Sequence, residues 1–356
     1  MEENGVEWTD NIHTVVGGLW PRAHTPINAA GGDYIRSGES TAIKLGVKIM
    51  LNTKGDELIV EDGRVVGAKA TGENNTPVIL HANRGVVIAS GGFAANTEMR
   101  QKYDSTLIES LPTTNTPAAQ GDGITMAETV DASVIGMEYI QSLPFGDPAD
   151  GALSGWVGSG VETFYLVNKE GERFMAEDGR RDTMTAALLA QTDAYAYVIT
   201  GYDENHKDFI TSINYWGDVI DELVETGRVF RADTIEELAE QIGIDPAVLK
   251  ETHDKFNAAV ESVVDEEFGR TLFGSKIETG PFFASPRVPT VHHTMGGIEI
   301  NLSGEVFNKD GEVIEGLYAA GEVTGGIHGK SRLGGNALVD IHVFGRTAGK
   351  AAANNK

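Results

Sequence analysis

The sequence predicts a mixed α/β fold of about two domains, and three observations support this prediction. The chain has 356 residues, whereas one domain commonly holds about 100–200. The glycine-bounded apolar run Gly85–Gly92 is typical of a buried strand in a parallel sheet. The region from about Gln141 to Glu278 instead carries more aromatic residues and charged helical patterns. We therefore expect an α/β domain with an inserted, largely helical domain.

Composition excludes several classes of function. The chain holds 28 Lys and Arg residues against 53 Asp and Glu residues, which gives a formal net charge of −25. Such a polyanion is repelled by nucleic acid and by anionic membrane surfaces. Cysteine is absent, so disulfides, thiolate metal sites and cysteine nucleophiles are excluded. No apolar run approaches the roughly 18 residues of a membrane-spanning helix, and we expect a soluble protein.

Local patterns predict the individual elements before the middle region. Val47–Leu51 and Leu58–Ile59 predict short strands. Glu61–Arg64 predicts a hairpin turn with Val65–Ala68 as its return strand. Asp122–Val130 predicts a helix.

The later elements follow from caps and from a return to glycine-rich strands. Thr234–Glu237 is a capping box before a periodic helix, and Asp245–Val264 starts with a cap residue followed by proline. His292–Ile300 and Gly316–Gly321 predict strands, and Gly335–Ala353 a helix.

Two glycine-rich segments resemble nucleotide-binding motifs without matching them. Thr324–Ser331 ends like a P-loop, but threonine occupies the place of its first glycine. Gly121–Met126 begins like a dinucleotide fingerprint, but the third glycine and the preceding apolar strand are missing. We find no acceptable G-x-G-x-x-G in the chain.

Two groups of polar residues are candidates for chemistry. His292 and His293 are adjacent on a predicted strand, so their rings point to opposite faces; we predict separate partners and no metal site. Arg332, among glycines before a helix, is suited to hold a carboxylate, although a surface arginine is the alternative. Arg180, Arg181 and Asp182 by themselves favour a surface charge cluster.

Several segments together resemble a known family. They are Val167–Phe174, Arg181–Asp182, His292–Gly297, Gly316–Glu322 and His328–Ala337, in this order. The combination is similar to the fumarate reductase/succinate dehydrogenase flavoprotein superfamily, with particular likeness to soluble flavocytochrome-c-type fumarate reductases and urocanate reductases. The resemblance covers nearly the whole chain.

The resemblance implies a truncated, Rossmann-like FAD-binding domain with an inserted capping domain and an active site between them. The implied boundaries are 1–140 and 287–356 for the two parts of the FAD-binding domain and 141–286 for the capping domain. The implied cofactor-binding residues are Gly31, Gly32, Ser90, Gly91, Gly92, Asp122, His293, Glu322, Ala337 and Leu338.

The resemblance also implies the reduction of a carbon–carbon double bond beside a carboxylate. Reduced flavin delivers hydride, His292 and Arg332 hold the carboxylate, and Arg181 donates the proton. The implied substrate-binding residues are Leu143, Trp156, His292, Arg332 and Gly335.

Three departures from the family shape the expectation. Leu143 and Trp156 align with a histidine and a threonine that hold a second carboxylate in fumarate-type members. A buried unpaired charge is costly, so we predict an acrylate- or urocanate-type mono-carboxylate over fumarate. Val157 and Gly160 align with the family's proton relay, and Glu162, Glu177 and Arg180 are the candidate substitutes.

The third departure concerns the cofactor and the electron donor. The family's first strand and its G-x-G-x-x-G turn do not appear, so FAD binding is expected to need another polypeptide segment. No haem motif or FMN-attachment segment appears either, so the donor would be an external FMN- or haem-bearing domain or protein. Two alternatives stay open: a fumarate reductase/succinate dehydrogenase-type activity, and a non-catalytic fragment or subunit.

Overall fold

A computed structural model describes residues 1–355 apart from 16, 29–30, 108, 159, 203–211 and 215. Its strands are β1 Trp8–His13, β2 Ala23–Pro26, β3 Lys54–Glu61, β4 Arg64–Thr71, β5 Pro77–His81, β6 Val86–Ile88, β7 Val134–Ile135, β8 Ile140–Gly146, β9 Tyr165–Asn168, β10 Ala196–Thr200, β11 Phe230–Ala232, β12 Phe282–Thr294, β13 Gly297–Ile298, β14 Glu305–Phe307 and β15 Val313–Ala319. Its helices are α1 Gly32–Lys44, α2 Thr97–Tyr103, α3 Asp122–Glu128, α4 Arg181–Leu189, α5 Ile220–Glu225, α6 Ile235–Ile242, α7 Pro246–Ser262 and α8 Asn336–Asn354. Within the described residues, no helix is long and apolar enough to cross a membrane.

Contacts between residues divide the chain into two compact units. The first unit contains Met1–Lys48 and Ser142–Thr290, and the second contains Ile49–Gln141 and Val291–Lys356. This division groups Met1–Lys48 with the middle of the chain rather than with the residues that follow. The predicted domain boundaries stay a prediction.

The first unit is built on an antiparallel sheet. Its strand order is β11-β12-β10-β9, with β8 also paired to β12. Two helices start at the predicted caps: the Thr234 hydroxyl accepts from the Glu237 amide at 3.2 Å, and the Asp245 carboxylate accepts from the Ala247 amide at 2.9 Å. These caps satisfy backbone donors that a helix leaves unpaired at its start.

In the second unit, the predicted parallel sheet and hairpin are both present. β6 pairs in parallel with β15, which also pairs with β14. β3 and β4 form the predicted hairpin, and Asp62 and Gly63 take φ angles of 49° and 80° in its turn. Positive φ at both central residues matches the right-handed twist of the two strands.

One sequence-based prediction of a strand is wrong, and two others are wrong in part. Val47–Leu51 forms no strand, and β3 begins at Lys54. The run is apolar but exposed along its length, so no neighbouring strand orders it. The strand predicted within Gly85–Gly92 is present as β6, but it is not buried throughout. Val87 is 37% exposed, because β15 is the one described neighbour of β6. The strand predicted over His292–Ile300 ends at Thr294 and resumes at Gly297.

Buried His253 in α7 generates a prediction about pH. Its Nδ1 lies 2.9 Å from the Tyr165 hydroxyl, and the Asn257 side-chain amide donates to its Nε2 at 3.1 Å. Burial lowers the pKa of His253 below its usual 6.5, with a smaller opposing effect of Asp254. Below that pH, the unfolded chain therefore holds a proton that the folded ring does not, and the free energy of unfolding falls as the pH decreases.

We expect the His253→Gln variant to show a smaller decrease in unfolding free energy than the wild type as the pH falls below about 6.5. Urea unfolding at a series of pH values measures this slope. Replacement of the exposed His81 by Gln is the matched control. Equal slopes in wild type and His253→Gln would contradict the assignment.

Candidate active site

The carboxyl ends of β6 and β15 lie at one edge of the second unit's sheet. Because the two strands are parallel, the residues after them, Ser90–Gly92 and Gly321–Glu322, emerge at the same edge. This is the edge at which open α/β sheets bind ligands. Four residues of the predicted cofactor set are therefore brought together there by backbone topology.

Close packing at this edge requires glycine at two positions. A Cβ on Gly92 would lie 2.0 Å from Thr294 Oγ1 and 2.6 Å from Glu322 Oε1. A Cβ on Gly123, in the first turn of α3 beside Asp122, would lie 2.2 Å from Ser90 Oγ. These approaches bring the start of α3 and the end of β12 against the loop after β6.

His293 and Glu322 form a buried pair beside this loop. His293 Nδ1 lies 3.2 Å from Glu322 Oε2, and Glu322 Oε1 accepts from the Thr294 amide at 2.9 Å. Burial lowers the pKa of His293, with Arg332 and His328 acting in the same direction and Glu322 opposing. Burial alone would raise the pKa of Glu322, but its bonds from His293 and Thr294 hold it below the usual value. We infer an ionised Glu322 that accepts from a neutral His293.

A second histidine–carboxylate pair lies against the first. His328 Nε2 is 3.1 Å from Asp340 Oδ2, and the rings of His293 and His328 meet edge to face at 5.6 Å between centroids. Asp340 lies in α8, whose first turn carries the predicted cofactor residues Ala337 and Leu338. Gly335 caps this helix with a φ of 80°, a conformation that favours glycine.

His292 has different partners from His293, as the strand geometry predicts. Its Nδ1 lies 2.8 Å from the Thr114 hydroxyl, and the Asn115 side-chain amide donates to its backbone carbonyl at 2.9 Å. The described residues contain no cluster of three or more His, Asp or Glu side chains arranged for a metal ion.

Arg332 is a buried cation with no carboxylate partner among the described residues. It is 6% exposed, so the surface-arginine alternative is wrong. Its Nη1 donates to the Leu333 carbonyl at 3.2 Å and its Nη2 to the Gln141 side-chain oxygen at 3.3 Å. Its guanidinium forms no salt bridge with any described residue. Burial lowers the pKa of Arg332, and the charge of Glu322 opposes this effect.

Three buried polar atoms in this cluster have no hydrogen-bond partner in the described part of the chain. They are His293 Nε2, Arg332 Nε and Asp340 Oδ1. Buried polar groups are normally satisfied, so their concentration indicates a polar ligand or ordered water. A flavin offers several hydrogen-bonding atoms, and a substrate carboxylate offers the counter-charge that Arg332 does not find among the described residues. The residues therefore fit FAD together with an anionic substrate.

The remaining predicted residues belong to the first unit. Arg181 begins α4 and is 9% exposed, so its assignment to a surface charge cluster is wrong. That assignment holds for Arg180, whose exposed side chain pairs with Asp182 at 2.7 Å. Gly31 and Gly32 lie at the start of α1. The convergence of Arg181 with His292 and Arg332 stays a prediction.

Leu143 and Trp156 lie in a hydrophobic cluster of the first unit. Leu143 is 3% and Trp156 is 6% exposed. The Trp156 ring stacks on Phe145 at 6.2 Å and meets Phe164 edge to face at 5.2 Å between centroids. The surroundings of both predicted substrate residues are therefore apolar and aromatic.

Glu177, one of the substitutes considered for the proton relay, is fully buried. Arg173 binds it with two hydrogen bonds of 2.9 and 2.8 Å, and Arg270 adds a third at 3.0 Å. Asp265 completes the network on Arg173 at 2.9 Å. These bonds hold the carboxylate in place and favour a structural role for Glu177.

Sequence analysis missed several residues that organise the site. They are Thr114, Asn115, Gln141, Thr294 and Asp340. Asp340 had a detectable signal, since it is an acid within the stretch Ala337–Val343, whose other residues apart from His342 are apolar. The others lie far in sequence from their partners, so nothing local marks them.

A glycine-lined strand edge beside a buried, unneutralised arginine suits a flavin enzyme that acts on an anionic substrate, and the fold agrees. The structure of the open conformation of a flavocytochrome c3 fumarate reductase matches with a TM-score of 0.77 and 32% sequence identity, over 99% of this chain and 61% of that chain. The class is thus a mixed α/β protein with the fold of the fumarate reductase flavoproteins.

The chain belongs to the FAD binding domain family, whose model matches residues 3–338. It is 43% identical to an NADH:acrylate oxidoreductase of Vibrio harveyi, over 99% of this chain and 35% of that protein. It is 36% identical to a urocanate reductase of Eggerthella lenta, over 96% and 56%, and 37% identical to a fumarate reductase (cytochrome) of Shewanella frigidimarina, over 99% and 60%. The chain thus spans between about one third and three fifths of these relatives.

We expect Gly92→Ala to displace Thr294 and Glu322, and to lower the unfolding free energy by about 1–3 kcal/mol because the site is overpacked. Binding of FAD is expected to weaken as well. Thermal unfolding and flavin titration measure the two effects.

The control for Gly92→Ala is Gly349→Ala in α8, where an added Cβ meets no atom within 4 Å. A methyl group there is expected to leave flavin binding unchanged. Wild-type stability and flavin binding in Gly92→Ala would show that the loop is not packed as described.

Proposed function

We propose that this chain is part of an FAD-dependent reductase of the carbon–carbon double bond in an α,β-unsaturated carboxylate. The observation that carries the proposal is Arg332, a buried guanidinium held by neutral groups beside the His293–Glu322 pair. A buried cation without a counter-charge is costly, and an anionic substrate would relieve that cost. The relatives named for acrylate, urocanate and fumarate reduction add independent support.

In this proposal, bound FAD would supply the hydride, and residues of this chain bind the substrate and stabilise the charge that develops on it. Arg332 binds the carboxylate of the substrate through its planar guanidinium. His292, oriented by the Thr114 hydroxyl, adds a second contact to that carboxylate. Together they stabilise the negative charge that develops when the double bond accepts hydride. Ser90–Gly92, Asp122, His293, Glu322 and the first turn of α8 would hold the cofactor.

Arg181 is proposed to protonate the α-carbon of the substrate. A guanidinium is a very weak acid, so the acceptor must be a strongly basic carbanion-like centre. Until it gives up its proton, the arginine also places a positive charge near the negatively charged substrate. This role, like the capping-domain assignment of residues 141–286, rests on the family resemblance.

The proposed substrate is a mono-carboxylate with a small apolar or aryl tail, of the acrylate or urocanate type. The hydrophobic cluster that contains Leu143 and Trp156 supports this class, because its apolar and aromatic side chains carry no charge that could neutralise a second carboxylate. Fumarate is the second candidate, since relatives named as fumarate reductases are similar to a comparable degree.

We further propose that the complete flavin site and the electron supply involve polypeptide beyond this chain. The relatives are longer than the stretch that this chain covers. An FMN- or haem-bearing domain or protein is the proposed electron donor. A non-catalytic subunit is the alternative, and it would be favoured if the chain together with that additional polypeptide takes up neither FAD nor an unsaturated acid.

The function is tested anaerobically with the FAD-loaded protein and a reduced viologen dye. We expect oxidation of the dye to depend on acrylate or urocanate, and to be faster than with fumarate. If none of the three acids supports oxidation of the dye, the reductase proposal is refuted. Faster turnover with fumarate would favour the second candidate.

Arg181→Lys is expected to lower turnover by about two to four orders of magnitude, the usual contribution of general acid catalysis, with a much smaller change in substrate affinity. Steady-state kinetics and substrate titration separate the two quantities. Arg180→Lys is the matched control, because Arg180 is exposed and pairs with Asp182. Unchanged turnover in flavin-loaded Arg181→Lys would remove Arg181 from the proton-donor role.

Leu143→His combined with Trp156→Thr is expected to raise the ratio of fumarate to acrylate turnover, because the two changes add partners for a second carboxylate. Loss of the Trp156 ring also costs about 3–5 kcal/mol of stability, so thermal unfolding accompanies the kinetics. The single change Leu143→His retains the aromatic cluster. A ratio that stays at the wild-type value in both folded variants would show that these positions do not contact the substrate.

A further inference from the structure

Gln141 binds both the main chain and the side chain of Arg332. Its side-chain nitrogen donates to the Arg332 carbonyl at 2.8 Å and to the Ser331 hydroxyl at 3.2 Å. Its side-chain oxygen accepts from Arg332 Nη2 at 3.3 Å. Gln141 is itself 3% exposed and is the second residue of β8. One amide therefore sets both the backbone position and the guanidinium direction of the arginine.

The neutral charge of this amide matters as much as its geometry. In the first unit, the buried Arg173 is neutralised by the carboxylates of Glu177 and Asp265. Arg332 instead meets amide and carbonyl oxygens, which orient a guanidinium without cancelling its charge. A carboxylate in place of the Gln141 amide would occupy Arg332 as an internal anion. The amide thus provides an acceptor and leaves the positive charge available.

We propose that Gln141 is a positioning residue that orients Arg332 and preserves its uncompensated charge for the substrate carboxylate. The inference rests on the proposed function, since it assigns a carboxylate ligand to the same arginine. It makes Gln141 a determinant of affinity for anions, although the residue need not touch the substrate. A merely structural role would make any well-folded replacement acceptable.

Two variants separate orientation from charge. Gln141→Met removes both hydrogen-bonding functions without adding charge, so carboxylate binding should weaken through the lost orientation of Arg332 alone. Gln141→Glu has the shape of the native residue but carries an ionisable group, whose ordinary pKa is about 4.3. At about pH 8 this group is ionised, so the introduced carboxylate pairs with Arg332 and competes with the ligand.

The measurement is calorimetric titration of the FAD-loaded protein with acrylate and with propionate, its saturated analogue, at about pH 8. For Gln141→Glu we expect a dissociation constant at least about tenfold above that of the wild type, and above that of Gln141→Met, because the carboxylate also cancels the charge of Arg332. Thermal unfolding verifies that each variant is folded.

Gln191→Glu is the matched control, since it adds the same charge to the first unit, where Gln191 accepts from Asn168 at 3.1 Å. It is expected to bind both acids like the wild type. Wild-type affinity in folded Gln141→Met and Gln141→Glu, or equal affinity of these two variants for the acids, would overturn the inference while the proposed function stands. A wild-type protein that binds neither acid would overturn the proposed function, and the inference with it.

Discussion

The burial of a positive charge at Arg332 is the constraint on which the rest of the site depends. A guanidinium removed from water is stable only if its donors are satisfied and its charge is compensated or tolerated. Gln141 and the Leu333 carbonyl satisfy two of its nitrogens, whereas Nε has no described partner. The energetic deficit is therefore electrostatic, and it is the kind of deficit that a bound carboxylate removes.

The surroundings of Arg332 explain how the fold tolerates this charge. Glu322 contributes negative potential without forming a salt bridge to it, because its carboxylate is already engaged by His293 and Thr294. That engagement requires the backbone of Gly92 to lie so close to Thr294 and Glu322 that a Cβ at this position would overlap both side chains. The glycine after β6, the acid after β15 and the arginine before α8 thus form one set of linked constraints, and a change at one alters the others.

Sequence reasoning was most successful where the determining interaction is local. The Asp62–Gly63 turn, the Thr234 and Asp245 caps and the opposite faces of His292 and His293 each depend on a few adjacent residues. It failed for Val47–Leu51, because whether an apolar run becomes a strand depends on a neighbour that local patterning does not show. The grouping of His293 with Glu322 came from family resemblance, whereas Gln141 and Thr294 act through contacts that join distant parts of the chain.

Buried arginines in this protein also show how structural and functional charges differ. Arg173 and Arg270 share the carboxylate of Glu177, so removing one partner would leave an unpaired charge within the first unit. Such a network stabilises one arrangement and leaves no capacity for a ligand. Arg332 differs, since its neutral partners fix the direction of the guanidinium without neutralising its positive charge. The nature of the partner, carboxylate or amide, therefore distinguishes an arginine that maintains the fold from one prepared to receive an anion.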